Sequence, residues 1–354
     1  MKYIFIILFI LCFFNVNAQN WHLTQNAMAP TVSNPAFTGL FGGDVRVNAI
    51  YRSQWKSVSS RGAAKTIIAG VDGKVAKGFG KNDWLSAGLS FMNDKAGTVS
   101  LSTNSISASV AYSHNLGNDL QNFVSAGFQL GINQQKFDLS QAQFGNQFTG
   151  VFVDEALGSG EMIDFNPKWY MGIGAGLSYY WIKNMRTYAY GGGAAFNIGS
   201  PKIDRGSTID EKIPMRITVH AGASIKVSSK WDVVPSFYLF QQSESIKADM
   251  IAAARYVFYE NKRTQVLNAF QVGMGLRMNK NNATVTGVSK MDAFIIQAKI
   301  EVEKVTAALA YDVNISDLQT ASNTNGAVEL ALSYNIGIRQ NNYQRGGSVN
   351  CPRF

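Results

Sequence analysis

Trp169-Tyr-Met-Gly-Ile-Gly-Ala-Gly-Leu-Ser-Tyr-Tyr-Trp181 is the stretch that decides the fold. Its odd positions are Trp169, Met171, Ile173, Ala175, Leu177, Tyr179 and Trp181. Its even positions are Tyr170, Gly172, Gly174, Gly176, Ser178 and Tyr180. A β-strand sends successive side chains to opposite faces, so one face here is apolar and the other is mostly glycine, hydroxyl and phenol. The apolar face carries large aromatics at both ends and aliphatics between them. A hydrocarbon slab with water on each side selects that distribution, because amphipathic rings settle at the two interfaces. The stretch reads as one stave of an outer-membrane barrel.

The same period recurs along the chain. Alternating segments are expected at 45–52, 64–72, 84–93, 104–114, 121–133, 169–181, 186–197, 214–226, 231–241, 247–258, 265–278, 291–301, 303–313 and 327–339. In the eighth, Met215, Ile217, Val219, Ala221, Ala223 and Ile225 oppose Arg216, Thr218, His220, Gly222, Ser224 and Lys226. A soluble sandwich alternates as well, and connection lengths separate the two. Alternate connections run to roughly 5–35 residues and the interleaved ones to roughly 1–11, the asymmetry of external loops and periplasmic turns. Charges agree: Arg46, Arg216, Lys226, Arg277, Lys299, Glu301, Glu329 and Arg339 all fall on the polar parity of their segments. A charge on the lipid face near mid-depth would cost about 2–4 kcal/mol. Lipid also offers no hydrogen-bond partners, so the sheet must close. The expected fold is all-β, a transmembrane antiparallel barrel of about 14 strands at residues 45–339, with short periplasmic turns and long external loops.

The flanks read differently. Lys2, the apolar run Ile4 to Phe14 and Val16-Asn17-Ala18 make residues 1–18 an export signal, too short for a membrane helix. A lipoprotein reading at Cys12 lacks a small residue before the cysteine, where Leu11 stands. Removal of the signal leaves Cys351 alone, so no intramolecular disulfide can form. Residues 19–44 hold Pro30, Pro35, Gly39 and Gly42-Gly43 and are not strand-like, forming an arm in the periplasm or in the lumen. Residues 340–354 are expected as a C-terminal periplasmic tail. The formal net charge is +9, but the basic residues are scattered singly, which argues against nucleic acid.

No catalytic or cofactor constellation emerges. His22, His114 and His220 lack any short ligand spacing, and the glycines of Gly172–Gly176 and Gly191–Gly193 lie inside strands, where a phosphate loop would need a following helix. Asp154, Glu155, Glu161 and Asp164 make an acidic loop without calcium-loop spacing, read as a solvated surface. No enzyme, metal or cofactor is expected. The barrel interior at this strand number has room for more than side chains, so 134–168 or 19–44 could plug it.

The start of the mature chain carries a family resemblance. Gln25, then Asn34-Pro35-Ala36-Phe37-Thr38-Gly39, then Arg46-Val47-Asn48-Ala49-Ile50-Tyr51-Arg52-Ser53-Gln54-Trp55 resembles the opening of the PorP/SprF family of the type IX secretion system of Bacteroidota. Gly88-Leu89-Ser90 with Asn93–Gly97, Gly127 with Gly131, the Gly172–Tyr180 stave and the terminal Cys351–Phe354 are similar to it too. The resemblance implies an outer-membrane protein, non-enzymatic, that aids export or surface anchoring of a cargo or large adhesin with a C-terminal sorting domain, gliding adhesins among them. Its implied partners are outer-membrane lipid, that cargo, and type IX machinery subunits or a periplasmic lipoprotein. The motif residues Asn34, Pro35, Gly39, Tyr51, Arg52 and Trp55 are then the candidate partner-binding residues, with the tip of the 134–168 loop beside them. A porin or small-solute transporter is the alternative reading.

Overall fold

The computed structural model describes residues 23–56, 63–77, 83–97, 101–117, 121–137, 145–150, 154, 157, 166–203, 211–261, 266–281, 290–317 and 319–337. Fourteen strands close into a single antiparallel barrel. They are β1 (Val45–Gln54), β2 (Ala64–Lys77), β3 (Trp84–Ala96), β4 (Leu101–Asn115), β5 (Asn122–Lys136), β6 (Lys168–Ile182), β7 (Tyr188–Phe196), β8 (Arg216–Lys226), β9 (Trp231–Gln242), β10 (Ser245–Asn261), β11 (Val266–Asn281), β12 (Lys290–Val302), β13 (Val305–Asn314) and β14 (Asn325–Ile336). Each strand pairs with its neighbours in sequence. β1 then closes on β14, in register from Val45 opposite Ile336 to Gln54 opposite Ala327. Closure leaves no edge to face lipid.

These are the strands read from the sequence, with ends displaced by a few residues. The largest displacement is in β2, which continues to Lys77 and not to residue 72. Its pairing with β3 shifts register between Lys74 and Ala76, and such an irregularity breaks the two-residue period on which the sequence reading depends. Connections 78–83, 116–121, 183–187, 227–230, 262–265 and 303–304 lie at one end. Connections 55–63, 97–100, 137–167, 197–215, 243–244, 282–289 and 315–324 lie at the other. The first set is uniformly short and marks the periplasmic end; the second is mixed, holding the longest loops beside two tight turns. A small ladder, Lys202–Ile203 with Glu211–Lys212, stands within 197–215. Among the described residues no helix is long and apolar enough to cross a membrane.

The outer surface carries the apolar belt. β6 alternates strictly through its lower half, with Leu177, Tyr179 and Trp181 outward and Ser178, Tyr180 and Ile182 buried inward. Trp169 at its external end is 62 % exposed, and Trp181 marks the periplasmic end. Trp231, Tyr259 and Tyr334 repeat the aromatic border on other strands. The hydrophobic core lies inside the cylinder, because the lumen is occupied.

Candidate functional site: the lumenal plug and its seat

Residues 23–44 occupy the lumen. They make three short helical turns, Asn26–Met28, Pro30–Ser33 and Pro35–Phe37. Pro30 and Pro35 each stand at the start of a turn, where a missing N–H costs nothing. From Leu23 to Phe41 every residue except Ala27 is buried. The segment starts level with Arg52, Arg277 and Glu329, close to the strand ends that lead into the external connections. It reaches the periplasmic end at Asp44, where β1 begins. It thus runs down the whole barrel as a plug.

Two apolar clusters seat it. Leu23, Met28, Ala29 and Val32 pack on Ile50, Ile68, Met92, Ala308 and Ala331 of the wall. Lower down, Phe37 and Leu40 pack with Trp84, Phe123, Tyr180, Ile182, Tyr188 and Tyr190. Ile50, Ile68, Met92, Trp84 and Phe123 occupy the lumen parity of β1 to β5, and their burial there is explained by the plug.

Polar contacts fix its position. At the upper end Arg52 donates to Thr24 Oγ1 at 2.9 Å, to Glu329 at 3.1 Å and to Asp312 at 2.8 Å. Arg277 donates to Asp249 and Asp312 and, at 2.8 Å, to Thr24 Oγ1. The Thr24 hydroxyl donates in turn to Asp312 at 2.8 Å. The Glu329 carboxylate accepts the backbone N–H groups of Thr24 and Gln25, at 2.8 and 2.6 Å. Lys247 pairs with Asp249 and donates to the Leu23 carbonyl. Hydrogen bonds with one charged partner are the stronger kind, and here they converge on Leu23, Thr24 and Gln25 of the plug.

In the middle Asn34 plays the same part without charge. Its Oδ1 accepts the Ala36 N–H at 2.8 Å and caps the third turn. Its Nδ2 group is shared among Ser178 Oγ, the Leu177 and Gly193 carbonyls and, at 2.8 Å, His220 Nε2. The wall opposite is bare of necessity: a Cβ on Gly176 would fall 2.0 Å from Asn34 Oδ1, and one on Gly127 would fall 2.3 Å from the Pro35 carbonyl carbon. At the lower end Gly39 holds φ +73°, and a Cβ there would collide with Ser86. Its N–H donates to Asp72 at 2.7 Å, and Asp72 is held by a two-point pair with Arg46.

The six candidate residues from the sequence therefore divide. Asn34, Pro35, Gly39 and Arg52 are buried at the contact between plug and wall, whereas Tyr51 and Trp55 are exposed on the outer surface near the external rim. The described residues of the long loop, Gly145–Gly150, Asp154, Leu157 and Asn166, are mostly exposed. His220 is buried against Asn34, and His114 meets Asp83 at 2.9 Å. Residues 1–18, His22, Glu155, Glu161, Asp164, Arg339, the tail 340–354 and Cys351 lie outside the described residues. Among the described residues no group of three or more His, Cys, Asp or Glu side chains could hold a metal. Sequence reading missed the apolar residues on the lumen parity, which were the available signal for a seated plug. It also missed Arg186, which lies in a turn and donates to Asp232 at 2.7 Å.

A family model described as type IX secretion system membrane protein PorP/SprF matches residues 15–334. Solved structures of similar shape include the Pseudomonas putida toluene transporter TodX, 8 % identical, TM-score 0.47, over 89 % of this chain and 94 % of that one. The Ralstonia pickettii toluene transporter TbuX is 12 % identical, TM-score 0.46, over 87 % and 92 %. CdiB from Escherichia coli is 9 % identical, TM-score 0.44, over 81 % and 63 %. No curated protein shows a significant match to the chain.

Proposed function

The chain belongs to the PorP/SprF family of type IX secretion system membrane proteins, and from that premise we propose that it works as a closed, non-enzymatic barrel. Its task is to aid export, or surface anchoring, of a secreted cargo or large adhesin that ends in a C-terminal sorting domain. Type IX machinery subunits or a periplasmic lipoprotein are its proposed neighbours, and a gliding adhesin is one proposed cargo. The observation that carries this reading is the plug: a lumen filled from Leu23 to Asp44, its upper end hydrogen-bonded to ion-paired residues of the wall, suits a scaffold that grips a partner better than a solute conduit. In this reading Tyr51 and Trp55 offer contacts at the outer rim. Asn34, Pro35, Gly39 and Arg52 act on a partner through the plug they hold.

Planar-bilayer recording and a deletion strain test it together. The wild-type barrel should show little steady conductance, and Gly127→Val, which places a side chain where Pro35 sits, should raise it. The deletion strain should fail to display type IX cargo at its surface. A large steady conductance of the wild type, with cargo display intact in the deletion strain, would favour the transporter reading instead.

A further inference from the structure

One buried carboxylate stands apart from the lumenal networks. Among the described residues the other buried carboxylates, Asp72, Asp232, Asp249, Asp312, Glu301 and Glu329, each pair with an arginine or a lysine. Asp83 is buried as deeply, its side chain 3 % exposed, and its partner is the imidazole of His114. It lies in connection 78–83, directly before β3, at the periplasmic end.

Three donors hold it. The Tyr112 hydroxyl donates to Asp83 at 2.6 Å, the Asn115 N–H donates at 3.0 Å, and His114 Nδ1 lies 2.9 Å away. Burial works against the charge of Asp83, but the hydrogen bonds from Tyr112, Asn115 and His114 outweigh it and hold the carboxyl below the usual carboxylate range. An ionised carboxylate only accepts, so Nδ1 carries the hydrogen. In the neutral ring Nε2 is then an acceptor. The His114 side chain is 54 % exposed, and among the described residues its Nε2 has no hydrogen-bond partner.

Depth makes this a headgroup position. Tyr112 and His114 occupy the outward parity of β4, with Ser113 between them buried inward. The register runs from His114 across Val124 of β5 to Tyr179 of β6, two residues from Trp181. The pair therefore stands in the periplasmic aromatic border, where lipid headgroups meet the barrel. The Tyr112 ring stacks on the imidazole, centroids 6.4 Å apart and planes at 17°. A buried negative charge, an acceptor nitrogen and an aromatic face all favour a cation. At this depth the terminal ammonium of a lipid headgroup supplies one, with three N–H groups to donate.

We propose that Asp83, His114 and Tyr112 form a site for a phospholipid of the periplasmic leaflet that ends in a primary ammonium, of the phosphatidylethanolamine type. His114 Nε2 accepts from the ammonium, and Asp83 is the countercharge behind the ring. The site gives the barrel a fixed lipid contact outside the lumen, whatever partner the plug serves.

The test uses the full mature chain in detergent micelles and native mass spectrometry. The probes are equal amounts of phosphatidylethanolamine, phosphatidylcholine and phosphatidylglycerol with identical acyl chains. Phosphatidylethanolamine should be retained about tenfold over phosphatidylcholine, whose quaternary ammonium has the charge but no N–H to give. His114→Phe keeps an aromatic ring at the border and should erase that preference. Asp83→Asn keeps the shape without the charge and should reduce it, in a barrel that still migrates as folded. Trp181→Phe, elsewhere on the same border, should leave it intact. Free ethanolamine at the lipid's concentration should not displace the lipid. Equal retention of the ethanolamine and choline lipids, a preference that survives His114→Phe, or displacement by free ethanolamine would each overturn the site. So would preferential retention of phosphatidylglycerol, which would mean a protonated ring facing a phosphate. None of these measurements reads cargo display, so a failure here is distinct from a failure of the proposed function.

Discussion

The lumen contains two arginine networks built from the same parts for different ends. In the outer half Arg52, Arg277, Lys247, Asp249, Asp312 and Glu329 surround the start of the plug, and each of them contacts a residue between Leu23 and Asn26. In the periplasmic half Asp232 is held on one oxygen by Arg186 and on the other by Arg255. There Arg255 also donates to Ser224, and Arg186 to the Ser228 and Ser229 carbonyls. No plug residue takes part in those bonds. The lower network ties wall to turn, and the upper one ties wall to plug. A buried ion pair is weak evidence for stability, yet removing one partner leaves an uncompensated charge. Position alone thus decides whether that penalty falls on the barrel or on its stopper.

The comparison is sharpest when one carboxylate is removed from each network. Asp232→Ala leaves two buried guanidiniums facing each other and should cost about 3–5 kcal/mol of barrel stability, read as a lower urea midpoint of unfolding with conductance unchanged. Asp312→Ala removes the shared acceptor of Arg52, Arg277 and Thr24 and carries a similar penalty of about 3–5 kcal/mol, which departure of the plug can relieve by admitting water. It should therefore raise conductance and expose the plug to protease while the barrel keeps its folded migration. If Asp312→Ala unfolds the barrel as Asp232→Ala does and leaves conductance low, the two networks are not distinct in role.

A change outside both networks serves as the reference. Met274 stands on the lipid face of β11, 61 % exposed, and Met274→Arg should cost about 2–4 kcal/mol near mid-depth. Its effect should appear in membrane insertion and not in plug seating. The smallest effect is expected from Asn34→Ala, which removes the turn cap and the uncharged latch for about 1–2 kcal/mol. Partial conductance bursts, with the upper network intact, are the expected record. A fully open channel from this change alone would place the clamp at Asn34 and not at Thr24.

The barrel was legible because its rule is local. Each strand announces its two faces within ten residues, as Leu177, Tyr179 and Trp181 do against Ser178 and Tyr180, and only the irregularity after Lys74 hid the end of β2. The charges on the lumen parity were legible too, but not their partners. Arg52 and Glu329 are 277 residues apart, and nothing in either neighbourhood names the other. The plug left a fainter trace. Ile50, Ile68 and Met92 sit on the parity that should face water, and each lies buried against the plug. The bare faces of Gly127 and Gly176 were readable as room, but not as room cut to Pro35 and Asn34.

The clamp around Thr24 also sets an order of assembly. Thr24 leaves the ribosome early, whereas Asp312 and Glu329 come from the last two strands, 288 and 305 residues later. Contacts so distant in sequence form late. Those same last strands complete the cylinder, since β14 closes on β1. Sealing the wall and locking the plug are then a single step. A chain that closes around an empty interior would leave Arg52, Asp312 and Glu329 without Thr24 and Gln25 between them, so the correctly filled barrel is also the one that closes most favourably.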